Sequence, residues 1–252
     1  TGHGTHPPFR RIQARTEPNS TLSTISPPAN TATSASAAMS RGAMCGNAAR
    51  CVAKYIYDRK MTPKTVIALE TDSGIKTLHL TIRDGKTQSV CVDMGAPVLE
   101  CEKVPCLLGK GVVKKAPITA LGRTFEVTPV SMGNPHGVIF IDEPVEQFEL
   151  DKYGPALEHH PAFPEKVNIE FVNVLSPTRL RMRVWERGSG ITLACGTGSC
   201  AVLAAASLCG LADRQAEIVL DGGVLQDEWS EKTGHVLMTG PAAFVFDGEY
   251  DG

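Results

Sequence analysis

Two segments of this chain share one pattern, and the pattern limits the folds that the sequence can adopt. They are MCGNAARCVAKY, which begins at Met44, and ACGTGSCAVLAA, which begins at Ala194. Each holds a Cys-Gly pair, a second cysteine and an apolar run with helical spacing. The leading cysteines, Cys45 and Cys195, lie about 150 residues apart. Two copies of one structural unit explain this repeat, so we predict two α+β lobes that meet at a cleft.

Composition excludes several classes of partner. The 252 residues suffice for one large domain or two of ordinary size. Apolar residues make up 42% and charged residues 21%, which is ordinary for a soluble globular protein. The net charge of −2, without a long basic run, argues against nucleic acid as a partner. No apolar run reaches about 18 residues, so no membrane-spanning helix is expected.

The chain contains eight cysteines, which is a moderately high number. A secreted disulfide protein would usually be smaller and carry a signal peptide, so we predict mostly reduced thiols. Zinc is not expected, because C-x5-C and C-x4-C differ from the usual C-x2-C spacing and the seven histidines form no ligand pattern. A disulfide between Cys45 and Cys195 would be an inactivated form. Six cysteines are predicted to be small buried core or helix residues: Cys51, Cys91, Cys101, Cys106, Cys200 and Cys209.

Residues 1–43 differ from the remainder of the chain. They are rich in Ser, Thr, Ala and Pro and show no apolar period, which favours a disordered tail. Because acidic residues are scarce and four arginines are present, an organelle transit peptide is a second interpretation. From Met44 onward, helical and strand patterns alternate as in a folded domain.

A cysteine at a helix start can act as a base. The positive end of the helix dipole favours the thiolate, so we expect a lowered pKa for Cys45 and Cys195. The backbone N–H groups that follow each cysteine could bind a carboxylate. If two such thiols face each other, one removes a proton from a carbon and the other protonates the opposite face, which inverts a stereocentre. From these two motifs alone, core cysteines remain the simpler interpretation.

Further motifs favour the enzyme. The segments MCGNAARC, SMGNPHGVIF, VNIEFVNV, VWERGSGITLACGTGSCA, DGGVLQDEW and MTGPAAFVF occur in this order. Over about residues 44–252 the chain closely resembles diaminopimelate epimerase. This resemblance implies interconversion of LL- and meso-diaminopimelate, for lysine and peptidoglycan synthesis, without a metal or other cofactor. Proline racemases commonly have His after the first Cys-Gly, where this chain has Asn47, and phenazine-biosynthesis-type isomerases lack the first cysteine.

The resemblance also implies roles for individual residues. Cys45 and Cys195 match the two catalytic bases, and Glu186 and Arg187 match the pair that reads the distal ammonium and carboxylate of the substrate. His136, with Glu186, would help to set thiol protonation. The full set of implied substrate-binding residues is Gly46, Asn47, Asn134, Asn168, Glu186, Arg187, Gly196 and Thr197.

Several of these residues also have simple structural interpretations. Asn134 could start a turn before Pro135, and Asn168 could lie at a strand edge. Glu186 and Arg187 could form a solvated pair, which contributes little to stability. His136 could be a structural histidine; only the joint pattern favours the functional roles.

The family fold is two pseudo-twofold-related lobes, each a mixed sheet wrapped around a central helix, with the active site in the cleft between them. The resemblance places the first lobe at residues 44–100 plus about 240–252 and the second at 101–239. The boundary is expected near Val98 to Pro105. It further implies a homodimer in the bacterial cytoplasm, or in a plastid if the N-terminal segment is a transit peptide.

The chain departs from the family before Met44. The family has a Gly-x-Gly-Asn-Asp-Phe strand, a later Gln and an Asn-Ala-Asp-Gly-Ser segment; this chain has GHGTH and AAMSRGAMCGN. Three substrate contacts are therefore not carried over. A shifted reading frame or a wrong gene model would explain residues 1–43. We expect an open sheet edge in the first lobe, poor stability and weak or absent activity. An inactive homologue and a racemase with another substrate are the alternatives.

Overall fold

The computed structural model describes residues 13–15, 23–24, 46–71 and 74–244. Within these residues the chain forms a 14-stranded mixed sheet with α-helices packed against it. The helices are α1 (Gly46–Asp58), α2 (Leu150–Glu158) and α3 (Gly196–Leu208). The strands are β1 (Gln13–Arg15), β2 (Ser23–Thr24), β3 (Val66–Thr71), β4 (Gly74–Arg83), β5 (Lys86–Asp93), β6 (Ala116–Ala120), β7 (Arg123–Ser131), β8 (Pro135–Phe140), β9 (Asn168–Ser176), β10 (Arg179–Glu186), β11 (Gly190–Thr192), β12 (Gln215–Leu220), β13 (Gly223–Trp229) and β14 (Val236–Pro241).

The strand order shows how the sheet is assembled. It runs β2-β1-β3-β4-β5-β14-β13-β12-β10-β9-β8-β7-β6, and β11 pairs with β10. The β8–β9 and β10–β12 pairs are parallel, while the other pairs are antiparallel. The late strand β14 lies between β5 and β13 and so joins the early strands to the late ones. These features confirm the predicted α+β class, and the proposed lobe boundaries stay a prediction.

Helix α1 forms where the repeat predicts it, but its buried face differs from the expected one. Its buried residues follow the spacing of one helical face: Gly46, Ala49, Arg50, Ala53 and Ile56. Cys51 lies on the opposite side and is exposed, so the prediction that it is a core residue was wrong. The 3.6-residue period places it away from the line that Ala49, Ala53 and Ile56 define.

Helix α3 is the buried central helix. Residues 200–206 have no exposed surface, as expected for a helix that is apolar on every side. It contacts strands β7, β8, β12, β13 and β14. The helix ends before Gly210, which has a φ of +70°, a conformation that glycine adopts without a steric penalty. The predicted glycine cap is confirmed.

Apolar side chains form two clusters. One surrounds α1 and α3 and contains the residues of β3, β4, β5 and β14 that face these helices. The other packs around α2 and includes Phe125, Phe148, Tyr153 and Phe171, whose ring centroids lie 4.0–6.1 Å apart. Tilted and edge-on aromatic pairs of this kind stabilise a core beyond the area that they bury.

Cys101 and Cys106 form a disulfide within the second cluster. Both are buried as predicted, but the expectation that they are separate reduced thiols was wrong. A 3-10 turn at Cys101–Lys103 reverses the chain, and the backbone N–H of Cys106 donates to the Cys101 carbonyl at 2.8 Å. The turn brings the two Cα atoms to 5.1 Å, which is within bonding range for cysteines.

Part of the segment 1–43 belongs to the described sheet. Strand β1 pairs with β3 through Ala14–Leu69 and Arg15–Ala68, so β3 is not the edge strand at these positions, contrary to the expectation of an open edge. Residues 1–12, 16–22, 25–45, 72–73 and 245–252 lie outside the described residues. The shifted-frame and disordered-tail interpretations therefore stay predictions. Within the described part of the chain, no helix has the length and apolar character to cross a membrane.

Candidate active site

The first turns of α1 and α3 meet at two glycines. A Cβ atom added to Gly196 would lie 3.7 Å from the Cα of Gly46. Met238 of β14 packs against both: an added Cβ would lie 2.5 Å from its Cε at Gly46 and 3.1 Å from its Sδ at Gly196. Only small residues permit this close approach. The two Cys-Gly motifs of the repeat thus converge, with Gly46 and Gly196 as their described members.

Cys45 precedes Gly46 in the chain and lies outside the described residues. The next predicted residue, Asn47, is partly buried in the first turn of α1. Its Oδ1 atom accepts a hydrogen bond of 2.7 Å from Nη2 of Arg50. This bond fixes the orientation of the Asn47 amide, so that its nitrogen remains the donor end.

Cys195 caps α3 at its N-terminus. Its Sγ atom accepts from the backbone N–H of Gly198 at 3.4 Å and lies 3.5 Å from Oγ1 of Thr197. Burial raises the pKa of the Cys195 thiol, and the charges of Glu186 and Glu170 raise it further. The hydrogen bonds from Thr197 and Gly198 oppose this rise. The net direction is opposite to the lowered pKa expected from the helix dipole, because desolvation outweighs the effect of the dipole.

A chain of polar contacts leads from the core to Cys195. Glu170 Oε1 lies 2.6 Å from Nδ1 of His136, and Nε2 of His136 lies 3.1 Å from Oδ1 of Asn134. The Asn134 amide nitrogen then donates to Oγ1 of Thr197 at 3.3 Å, and this hydroxyl contacts Cys195. Four predicted site residues, Asn134, His136, Thr197 and Cys195, are therefore connected.

Glu170 was not among the predicted site residues. It is fully buried, and among the described residues its Oε2 atom has no hydrogen-bond partner. A Cβ at Gly198 would lie 2.8 Å from Oε1, so the carboxylate lies beside the first turn of α3. The close carboxylate partner of His136 is Glu170, and the expectation that His136 and Glu186 both help to set thiol protonation stays a prediction. An acidic residue inside the apolar strand segment VNIEFVNV is the signal that could have identified Glu170.

Glu186 is the last residue of β10, and Arg187 begins the turn that follows it. Glu186 accepts from the Thr192 hydroxyl, while Nη1 of the exposed Arg187 donates to the Glu165 carbonyl at 2.9 Å. No ion pair joins Glu186 to Arg187 in the part of the chain that the structure describes. The solvated-pair interpretation therefore does not apply to this turn.

The Asn168 side chain is bound at both ends by backbone groups. Its Nδ2 donates to the Pro135 carbonyl at 2.9 Å, and its Oδ1 accepts from the N–H of Arg187 at 2.8 Å. It is buried at the start of β9. These bonds tie the GNPH turn to the Glu186–Arg187 turn, which adds a positioning role to the predicted one.

Glu158, at the end of α2, is a second residue that the sequence did not reveal. Its carboxylate accepts from Nε1 of Trp185 at 2.7 Å and from the N–H of Gly188 at 3.1 Å. Trp185 and Gly188 flank Glu186 and Arg187 in the chain, so the hydrogen bonds to Glu158 fix the position of this segment. Glu158 is buried, and the Trp185 ring covers the glycine surface of α2 at Gly154.

Among the described residues, no group of three or more His, Cys, Asp or Glu side chains is arranged to hold a metal ion. The polar groups around Cys195 are hydrogen-bonded to one another, as in a buried network that orients side chains.

Sequence comparison identifies relatives of the chain. The family model described as diaminopimelate epimerase matches residues 128–245. The diaminopimelate epimerase of Acetivibrio thermocellus is 54% identical over 212 residues, which cover 84% of this chain and 75% of that protein. The diaminopimelate epimerase of Methanococcus maripaludis strain C5 is 52% identical over 212 residues, with 84% and 76% coverage.

Solved structures show the same fold at low sequence identity. A hydroxyproline epimerase from Agrobacterium vitis has a TM-score of 0.55 at 20% identity, covering 79% of this chain and 64% of its own. A phenazine biosynthesis protein of the PhzF family from Enterococcus faecalis has a TM-score of 0.59 at 16% identity, with 83% and 74% coverage. The relatives named above are more than 50% identical to this chain over 84% of its length, and the solved structures share its fold. The chain therefore belongs to the diaminopimelate epimerase family and is an epimerase.

Proposed function

We propose that this chain inverts the α-carbon of LL-diaminopimelate to give meso-diaminopimelate, with Cys45 and Cys195 as the two bases. The observation that carries the proposal is the meeting of two Cys-Gly helix starts at Gly46 and Gly196. The names of the relatives support the choice of substrate. Two opposed thiols suit an inversion, because removal and delivery of the proton must occur on opposite faces of the carbon.

The proton transfer balances without an oxidant or reductant. The thiolate of Cys45 takes the α-proton; the C–H bond breaks, and its electron pair moves into an enolate-like system with the carboxylate. The thiol of Cys195 then donates its proton to the opposite face, where the new C–H bond forms. The raised pKa of Cys195 suits the acid role in this direction, and in the reverse direction the two residues exchange roles.

The intermediate carries extra negative charge on the carboxylate. In this proposal, the free backbone N–H groups at the starts of α1 and α3 stabilise that charge. Donors fixed before the reaction need no reorganisation when the charge develops, which is why such groups lower the barrier. Asn47, Asn134 and Thr197 supply further polar groups beside the two glycines.

The distal end of the substrate distinguishes it from other amino acids. A second ammonium and a second carboxylate need an acid and a bidentate cation. We assign these roles to Glu186 and Arg187. Their turn is tied to the GNPH segment through Asn168, so the distal and proximal parts of the site share one framework. The homodimer, the cytoplasmic location and the place in lysine and peptidoglycan synthesis stay predictions.

Exchange of the α-proton with solvent deuterium tests the proposed function. Purified chain is incubated in D₂O with LL-diaminopimelate, L-proline or L-glutamate, and loss of the α-proton signal is followed by NMR. Exchange with diaminopimelate alone is the expected result. Exchange with another amino acid would assign a different substrate. Absence of exchange, beside an active family member assayed in parallel, would support the inactive homologue.

A further inference from the structure

Asp227 of β13 is a buried acid that the proton transfer does not use. It has no exposed surface, and among the described residues neither carboxylate oxygen has a hydrogen-bond partner. Burial raises the pKa of Asp227 to about 7, and Ser199 and Arg50 oppose this rise. A buried unsatisfied carboxyl group destabilises a fold, so its presence calls for an explanation.

The position of Asp227 in the sheet places it beneath the two helix starts. It is paired in register with Met238 of β14, and paired residues of antiparallel strands project from the same face. Met238 is the side chain that packs against Gly46 and Gly196. The other register partner, Ala216 of β12, carries no polar group.

The groups that oppose the pKa rise belong to the first turns of the two helices. Ser199 lies in the first turn of α3, and its hydroxyl donates to the carbonyl of Gly196 at 2.9 Å. Arg50 lies at the end of the first turn of α1 and donates to Asn47 at 2.7 Å. Nη1 of Arg50 also lies 3.8 Å from Sδ of Met238. Ser199 and Arg50 thus bind the turns that carry Gly196 and Asn47, and Arg50 also contacts Met238, the register partner of Asp227.

Among the described residues, the charge of Asp227 also affects two cysteines. Burial raises the pKa of Cys200 of α3, and the charge of Asp227 adds to the rise. Burial also raises the pKa of Cys91 of β5, to which Asp227 makes a smaller contribution. The next residue, Glu228, is exposed because successive strand residues alternate between the faces of the sheet.

We propose that Asp227 is a positioning residue of the epimerase: its carboxylate, acting on Arg50 and on Ser199, holds the first turns of α1 and α3 in the arrangement that proton transfer requires. The proposal rests on the proposed function, because these two turns follow Cys45 and Cys195 in the chain. A buried carboxylate such as that of Asp227, which has no hydrogen-bond partner in the described part of the chain, destabilises the fold, and such residues are typical of functional sites.

The variants Asp227→Asn and Glu228→Gln form a matched pair of neighbours, one buried and one exposed. At pH 8 the buried carboxylate is charged. The pKa of Asp227 is higher in the folded state than in the unfolded state, where it is about 3.9. The free energy of unfolding therefore falls as pH rises from the unfolded value to the folded value. D227N removes this cost, so its Tm at pH 8 should exceed that of the wild type. Its kcat for diaminopimelate exchange should fall at least tenfold with little change in KM. E228Q should match the wild type in both respects.

The pH profile separates positioning from a purely structural role. In the wild type the exchange rate should rise through pH 7 as Asp227 ionises, and in D227N this step should be absent. Unchanged kcat with an unchanged pH profile in D227N would overturn the proposal. A parallel loss of kcat and Tm would overturn it as well, because it would indicate ordinary damage to the fold.

Two further measurements keep the test decisive. If D227N does not fold, Ser199→Ala removes the hydroxyl that donates to Gly196 in the first turn of α3 and should lower kcat at least threefold; a wild-type rate would refute the proposal. If the wild type exchanges no diaminopimelate, the proposed function fails while the positioning can still be measured. In that case the rate of Cys195 alkylation by iodoacetamide should change at least threefold in D227N, and an unchanged rate would refute it.

Discussion

His136 and Glu170 form a fully buried pair, with 2.6 Å between Nδ1 and Oε1. They lie on the parallel strands β8 and β9, where His136 is opposite Asn168 in register. Through Asn134 and Thr197 the pair connects to the Cys195 thiol. The charge of Glu170 raises the pKa of Cys195, and the two residues lie at the ends of one chain of polar contacts.

Replacing Glu170 should make Cys195 easier to ionise. The charge of Glu170 raises the pKa of Cys195, so Glu170→Gln should lower that pKa, and alkylation of Cys195 at pH 8 should become faster. The rate is read by mass spectrometry of the Cys195 peptide. Loss of the buried contact between Glu170 and His136 should lower the free energy of unfolding in urea by about 1–3 kcal/mol. Glu165→Gln, at an exposed side chain, is the control, and an equal alkylation rate in both variants would show that the charge of Glu170 does not act on Cys195.

The carboxylate of Glu158 should matter more for substrate binding than for chemistry. Glu158→Ala leaves Nε1 of Trp185 and the N–H of Gly188 without their acceptor, which should cost about 1–3 kcal/mol of stability. Because the loosened turn carries Glu186 and Arg187, we expect KM for diaminopimelate to rise at least tenfold while kcat falls less. Glu149→Ala, which removes an exposed pair with Lys152, should leave both constants unchanged. A fall in kcat without a change in KM would refute the assignment.

Gly154 in α2 is a site where a helix-favouring substitution should destabilise the protein. In an open helix, Ala is better than Gly by about 1 kcal/mol. Here a Cβ would lie 2.5 Å from Cδ2 of Trp185, and relief of such a clash typically costs about 1–3 kcal/mol. Gly154→Ala should therefore lower the midpoint of denaturant unfolding. A higher midpoint would show that the indole ring moves freely.

The Cys101–Cys106 bond closes a short loop, so its stabilising effect should be modest. Loop-closure entropy for about six residues gives about 2 kcal/mol at 25 °C. The double variant Cys101→Ala/Cys106→Ala should be less stable by roughly this amount, and thiol titration of the denatured wild type should gain two groups after reduction. Cys91→Ala is the single-site control. An unchanged thiol number on reduction would show that the bond is absent.

Local signals in the sequence predicted local structure well. The start of α1, the glycine cap at Gly210 and the turn before His136 depend on a few adjacent residues, and all were predicted. The exposed position of Cys51 was not predicted, because the buried face of α1 includes Gly46 and the polar residue Arg50, which apolar spacing alone does not identify. Glu158 and Glu170 gain their roles from partners 27 or more residues away, which no short motif encodes. The pKa of Cys195 was misjudged since a helix-terminus rule does not account for depth of burial.

The central claim is that two thiols exchange protons with the α-carbon. Its most direct test is deuterium incorporation into diaminopimelate in D₂O by the wild type, Cys45→Ser, Cys195→Ser and the exposed control Cys51→Ser. We predict exchange by the wild type and C51S, and at least a hundredfold slower exchange by both C45S and C195S, because a hydroxyl is a far weaker acid than a thiol. Wild-type exchange by either C45S or C195S would contradict the two-base assignment.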